Sequence, residues 1–171
     1  MTTTIDTELL VTRGNVRLHV RPARSDDEPA LVAFFSRVTP EDLRFRFLTG
    51  VRQVSHDWLV AMIEAKENTV SLIALDDAGE VIATAMLAGD AATRRAEAAI
   101  AVRGDSKGQG IGWTLLDHLV GHAERRGYAS IESIEDRANR HAIALECEMG
   151  FEALPIPGEA SLVCVRKALR K

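Results

Sequence analysis

The sequence predicts an α+β fold, a mixed sheet of about six to seven strands with helices on both faces. Three observations lead there. Apolar and polar residues alternate in short runs around residues 16–21 and again between residues 70 and 102, the period of half-buried strands. Between and after these runs, apolar residues recur every three or four positions, the period of amphipathic helices. In the middle of the chain a strand, a glycine-rich loop and a helix follow one another. The strand after that helix must run parallel to the one before it, whereas the earlier strands are joined by tight turns and pair antiparallel.

Taken in order, residues 1–13 are polar and without a clear period, which reads as a loose N-terminal arm or an edge segment. Val16, Leu18 and Val20 alternate with Arg17, His19 and Arg21 in a strand that stops at Pro22. Ser25-Asp26-Asp27-Glu28 matches a capping box, with Ala30, Leu31, Phe34 and Phe35 as the apolar face behind it. Thr39-Pro40-Glu41-Asp42 supplies a cap, a first-turn proline and two acids for a second helix. That helix runs through Leu43 to Leu48 and carries Arg44, Arg46 and Phe47. Ser55 caps a third, with Trp58, Leu59, Met62 and Ile63 on one side. These helices precede most of the sheet and are placed to wall one side of a substrate cleft.

Val70, Leu72 and Ala74 enter a hairpin at Asp76-Asp77-Ala78-Gly79, and Val81, Ile82, Thr84, Met86 and Leu87 return from it. Gly89 to Arg95 turns the chain into the strand Ala96–Val102, which completes an antiparallel meander. The glycine-rich loop follows. Its helix carries Ile111, Leu115, Leu116, Leu119 and Ala123 on one face and ends at Arg125-Arg126-Gly127. Ser130 to Ile134 is the parallel strand. Asn139 opens a last helix through Ile143, Leu145 and Met149, stopped at Gly150-Phe151. Phe151–Leu154 and Ser161–Val165 close the sheet around Pro155-Ile156-Pro157-Gly158. No repeat, low-complexity tract or linker interrupts the 171 residues, so a single domain spanning 1–171 is expected.

Composition bounds the function. Apolar residues make up 46% and charged residues 27%, a globular balance. A net charge of −4 argues against a nucleic-acid surface. Cys147 and Cys164 are too few for a disulfide framework or a structural zinc site, and two core thiols in a reducing compartment are expected. No apolar run approaches a membrane span, and the first residues lack a signal-peptide profile, so the expected location is the cytoplasm.

The stretch Val102-Arg103-Gly104-Asp105-Ser106-Lys107-Gly108-Gln109-Gly110-Ile111-Gly112 is an anion site by its geometry. Unpaired N–H groups converge at the helix start, the macrodipole adds positive potential, and missing Cβ atoms let an anion reach the backbone. It is not a P-loop, because Lys107 precedes Gly108 instead of following the last glycine. Gly108, Gly110 and Gly112 give G-x-G-x-G, not the dinucleotide G-x-G-x-x-G, although Glu132 lies near the distance of a ribose-binding acid. Lys107 to Gly112 instead resembles the pyrophosphate loop Q/R-x-x-G-x-G/A of the GNAT-superfamily N-acetyltransferases, with Lys at the first place. Asn139-Arg140-His141-Ala142, ending in Gly150-Phe151, resembles a second mark of that superfamily. The element order resembles the whole GNAT fold from about Val16 to Lys167.

The nearer resemblance is to the GNAT domain of Pat-type bacterial protein-lysine acetyltransferases. It rests on Arg21-Pro22-Ala23-Arg24-Ser25-Asp26-Asp27-Glu28, on Thr39-Pro40-Glu41-Asp42-Leu43-Arg44-Phe45-Arg46-Phe47, and on Ala96-Glu97 before the strand that feeds the loop. Pat-type enzymes often join this domain to a regulatory or acyl-CoA-synthetase-like one. None is expected within these residues.

Acetyl transfer from a thioester needs a neutral amine, while a lysine of pKa about 10.4 is mostly protonated at pH 7. It also needs donors for the oxyanion. Glu97 is the expected general base, acting through water. It is an acid inside an Ala/Ile/Val strand, on the same side as Ala99 and Ala101, and matches the Pat-type base in position; the alternative is a strand-end Glu pointing to solvent or paired with Arg94 or Arg95. Glu135 is the reserve base. Ile134 stands where ribosomal-protein acetyltransferases carry a catalytic Glu. The only tyrosine, Tyr128, precedes the second motif, so the general acid stays unassigned. His118 and His122 sit one turn apart without an evident third ligand, and no metal is expected.

For acetyl-CoA, the resemblance implies that the main chain of Ile100, Ala101 and Val102 pairs with the pantetheine arm. It also implies that Lys107, Gly108, Gln109, Gly110, Ile111, Gly112 and Trp113 surround the pyrophosphate, with Asn139 beside the pantetheine. Arg103 and Lys107 add charge near the phosphates, and Trp113 is expected to pack. The expected acceptor is a protein lysine. Rivals are a small amine (polyamine, amino acid or antibiotic), a non-catalytic CoA-binding sensor, and a nucleotide-binding module. No nucleic-acid or membrane partner is expected, and a homodimer is left open.

Overall fold

The computed structural model describes residues 7–48, 54–64 and 66–170. Eight strands form one sheet: β1 (Glu8–Val11), β2 (Arg17–Pro22), β3 (Thr69–Leu75), β4 (Val81–Asp90), β5 (Arg95–Val102), β6 (Ser130–Asp136), β7 (Glu152–Pro155) and β8 (Leu162–Ala168). Their order across the sheet is β1-β2-β3-β4-β5-β6-β8-β7, antiparallel throughout except for the β5–β6 pair. The mixed α+β architecture is the expected one. The eighth strand is β1, where the sequence allowed an edge segment; residues 1–6 of the expected arm lie outside the described residues.

Five helices cover the sheet: α1 (Glu28–Ser36), α2 (Pro40–Phe47), α3 (His56–Ile63), α4 (Ile111–Arg125) and α5 (Arg140–Glu148). Strand alternation sorts them. Ala96 and Ala98 of β5 and Ile131 of β6 join a core with Leu115, Leu119 and Ala123 of α4. Ala101, of the opposite parity, joins a second core with Phe34 of α1, Leu43 of α2 and Leu59 of α3. Helices therefore sit on both faces, α4 and α5 on one and α1 to α3 on the other.

Thr39 and Ser55 cap α2 and α3 as their positions predict, accepting from the N–H groups of Asp42 at 3.1 Å and Trp58 at 3.2 Å. The Ser25 capping box is not formed. Residues Ser25–Asp27 make a 3₁₀ turn instead, and α1 begins after it. Asp27 is drawn inward, where its carboxylate takes two 2.8 Å hydrogen bonds from Arg21 and one of 2.7 Å from the Arg24 N–H. The capping contact is thus made one residue earlier than expected, with Asp27 accepting from the Arg24 N–H, and the bidentate guanidinium holds that carboxylate in place. Arg21 and Asp27 thus tie β2 to the entry of α1.

Candidate active site

The two parallel strands are joined at one end only. Arg95, Ala96 and Glu97 of β5 pair with Ser130, Ile131 and Glu132 of β6, and there the pairing stops. β5 stays bonded to β4 as far as Val102, and β6 to β8 along its whole length. Each strand thus presents one edge of unpaired peptide groups to a widening gap. A cleft of about 690 Å³ occupies it. Glu97 lies at the vertex, and Ile100, Ala101 and Val102 run along one edge.

At the wide end, Gly108 and Gly110 adopt φ of +79° and +81°, a conformation glycine takes without strain. Gly110 is the N-cap of α4, so the N–H groups of Ile111, Gly112 and Trp113 have no partner in the helix; the first helical bond runs from Thr114 N–H to the Gly110 carbonyl at 3.1 Å. Gly112 is more telling. It has ordinary helical φ, and a Cβ there would meet no protein atom within 4 Å. Neither backbone conformation nor packing asks for glycine, which costs about 1 kcal/mol relative to alanine in a helix. The space outside it is open to a ligand, and the residues fit a pyrophosphate.

Gln109 alone among the predicted residues does not line the cleft. Its side chain is exposed, and its carbonyl is held from behind by the Thr12 hydroxyl, which donates at 2.7 Å. A Cβ on Gly14 would come within 2.7 Å of the same oxygen. The turn after β1 therefore braces the loop. Lys107 lines the cleft but is paired with Asp42 of α2 at 2.6 Å. Arg103 does not add charge to the loop as expected: it is buried and bound to Asp105 at 2.6 Å and Glu80 at 3.2 Å. Trp113 carries the Arg13 guanidinium over its ring at 4.0 Å.

Around Glu97 the structure gathers residues to which the sequence assigned no role. Glu97 shares its face of the sheet with Ala101, as expected, and with Glu132 across the strand pair. Of the two expected alternatives, pairing with Arg94 or Arg95 is not seen, while the Glu97 side chain is exposed. Glu97 reaches water through the cleft, yet the protein around it removes enough solvent to raise its pKa; Glu132 raises it further, and Arg46 of α2 opposes them. Arg46 itself donates to the Met86 Sδ at 3.3 Å and lies over the Phe47 ring at 4.8 Å, and among the described residues its Nε has no partner. Glu132 is engaged by Arg166 at 3.2 Å and by the Cys164 thiol at 3.3 Å.

Across the gap, the Asn139 side chain makes no cap bond to α5 and instead donates to Glu135 at 3.2 Å, while Ser133 donates to the other Glu135 oxygen at 2.8 Å. Glu135, the reserve base, is thereby held. Beside it lies Glu146, 3% exposed and the one fully buried residue of α5. Burial and the Glu135 charge push its pKa up to about 10. The only signal in the sequence is a carboxylate where the inward face of a helix would carry a leucine. Tyr128 and His118 lie outside the cleft; His118 and His122 pack edge to face at 4.8 Å. Cys164 is buried as expected, but Cys147 is exposed, on the outer side of α5.

These features recur in known proteins. The Acetyltransferase (GNAT) family pattern matches residues 35–151. An acetyltransferase of Pseudomonas aeruginosa is 27% identical over 154 residues, covering 88% of this chain and 83% of the relative. The crystal structure of the GNAT domain of S. lividans PAT superposes with a TM-score of 0.87 at 25% identity, covering 95% of this chain and 97% of that one. A GNAT superfamily phosphinothricin acetyltransferase from Sinorhizobium meliloti, solved in complex with AcCoA, has the same fold at a TM-score of 0.74 and 20% identity, covering 89% and 88%. Among the described residues no helix is long and apolar enough to cross a membrane.

Proposed function

Since the chain belongs to the GNAT acetyltransferase family, we propose that it transfers an acetyl group from acetyl-CoA to a primary amine, a protein lysine, with Glu97 as general base. The observation that carries this reading is the place of Glu97. It stands where β5 and β6 part, on the face opposite α4. The loop that opens α4 offers its N–H groups to the pyrophosphate, and the free edge of β5 at Ile100 to Val102 offers peptide groups to the pantetheine. Asn139 borders that arm, and a β5 N–H near Ala101 is available to the thioester carbonyl. Acetyl-CoA supplies the activated acyl group. The amine then enters from the α1–α3 side, where Glu97 takes its proton through water.

The resemblance of Arg21–Glu28, Thr39–Phe47 and Ala96-Glu97 to the Pat-type protein-lysine acetyltransferases supports a protein lysine as acceptor. A polyamine is the second reading, favoured by the carboxylates of Glu41, Asp42 and Glu97 in the cleft. Thiol release from acetyl-CoA, measured against proteins, peptides and small amines, separates the two. Transfer confined to small amines would overturn the lysine reading, and binding without any transfer would favour a sensor. The expected location remains the cytoplasm.

Two outcomes follow from the surroundings of the site. A base acts ionised, so kcat/KM rises with pH through the Glu97 pKa. Glu132→Gln removes a like charge and should move that acidic limb to lower pH, while Arg46→Met removes an opposite charge and should move it to higher pH. Limbs that shift together, or not at all, in pH profiles of the two variants would count against Glu97 as the titrating group. Gly112→Ala should stabilise α4 by up to about 1 kcal/mol in urea unfolding. The same methyl should weaken acetyl-CoA binding about tenfold by calorimetry, roughly 1.4 kcal/mol.

A further inference from the structure

We propose that Glu135 and Glu146 together hold one proton at the cleft wall and deliver it to the departing thiolate of the acyl donor. This rests on the acetyl-transfer reading above, and it fills the general-acid role that no tyrosine takes.

The argument starts from parity along β6. Glu132 points to the α1–α3 face with Glu97, while Ile131, Ser133 and Glu135 point to the α4–α5 face. Glu135 and Glu146 both line the cleft from that second face. The loop at the start of α4 lies on it too, so the donor's thiol arm enters from the side of the carboxyl pair and the amine from the side of Glu97. Base and acid thus stand on opposite sides of the gap, as a transfer that takes a proton from nitrogen and gives one to sulfur requires.

The pair also carries its own mark of a shared proton. Both Glu135 oxygens accept hydrogen bonds, from Ser133 at 2.8 Å and Asn139 at 3.2 Å, which fix its orientation. Glu146 has no such donors, and its buried Oε2 has no partner. Two anions could not both be kept there, since burial and then the Glu135 charge both disfavour an ionised Glu146. A protonated Glu146 has a hydrogen to donate to the neighbouring Glu135 carboxylate. Asn139, expected to contact the pantetheine, links that donor to the pair.

The step balances. The amine nitrogen forms its bond to the acyl carbon, and the carbon–sulfur bond breaks with its electron pair going to sulfur. The shared proton moves to that sulfur, giving the free thiol. The pair is reprotonated from water, and the protons lost by the amine leave by way of Glu97.

The test uses the full chain and its Glu146→Gln, Glu135→Gln and double variants. Glutamine keeps shape and a hydrogen-bond donor but cannot surrender a proton. Infrared difference spectra of the native protein at neutral pH should contain a protonated-carboxyl band that is absent from Glu146→Gln and shifts when CoA is added. Each single variant should lose about 10²- to 10³-fold in kcat with an unchanged KM for acetyl-CoA. The double variant should be no worse, because one proton is lost once. A native kcat in either folded variant, or a band that CoA does not move, would overturn the proposal. If no variant folded, a band indifferent to CoA in the native protein would still refute it. A native protein whose band responds to CoA but which acetylates no amine would overturn the reaction assigned above while supporting the contact.

Discussion

Glu97→Gln should lower kcat by about 10²- to 10⁴-fold while leaving the dissociation constant for acetyl-CoA unchanged. Glutamine matches the carboxylate in volume and can still hold a water, so the cleft and the free edge of β5 persist. What is lost is the group that accepts the amine's proton. Above the ordinary lysine pKa the amine is already neutral, and the deficit should shrink as pH rises toward 10. Thiol release across pH, with calorimetry of acetyl-CoA binding beside it, makes the measurement. Equal loss at every pH, or loss of donor affinity, would mean that Glu97 shapes the site without acting as base.

The second large effect is on the fold. Asp27→Asn should destabilise the protein by about 3–5 kcal/mol, because it strands the Arg21 guanidinium in a site where the two side chains are only 14% and 9% exposed. The pH dependence identifies the cause. The hydrogen bonds from Arg21 hold the Asp27 carboxyl below its usual range, so the folded pKa is depressed relative to the unfolded one. The pair's contribution is then full above the unfolded carboxylate pKa and is lost as pH falls through the folded value. Urea unfolding should show native and variant proteins far apart at pH 7 and converging in acid. A constant gap would assign the effect to packing instead.

Much of this arrangement is legible in the sequence because it rests on local rules. Thr39 and Ser55 cap helices whatever packs above them, and the glycines at 108 and 110 announce a left-handed backbone before any ligand is considered. Glu97 stands out for a similar reason: an acid in an apolar strand next to a glycine-rich helix start has few structural uses, and its proposed role as base is what Glu97→Gln tests. Illegible were the contacts made by topology. Arg46 is fifty-one positions from Glu97, and no spacing rule brings them together. Glu146 is hidden by a helix whose inward face its own carboxyl occupies. Ser25 was misjudged because a capping signature is local, whereas the Arg21 guanidinium that captures Asp27 comes from the preceding strand. Arg103 is held away from the loop by Asp105, two residues on, and by Glu80 at the end of the β3–β4 turn.

The brace between Thr12 and the Gln109 carbonyl joins two events that look unrelated, docking of the first turn and occupation of the phosphate loop. Thermodynamic linkage makes that connection reciprocal. Whatever free energy the Thr12–Gly14 turn contributes to holding the loop in its binding shape, a bound pyrophosphate returns to the turn. The turn that ends β1 and the proposed donor site thus share one equilibrium, and that turn reports on the occupancy of a cleft it does not line.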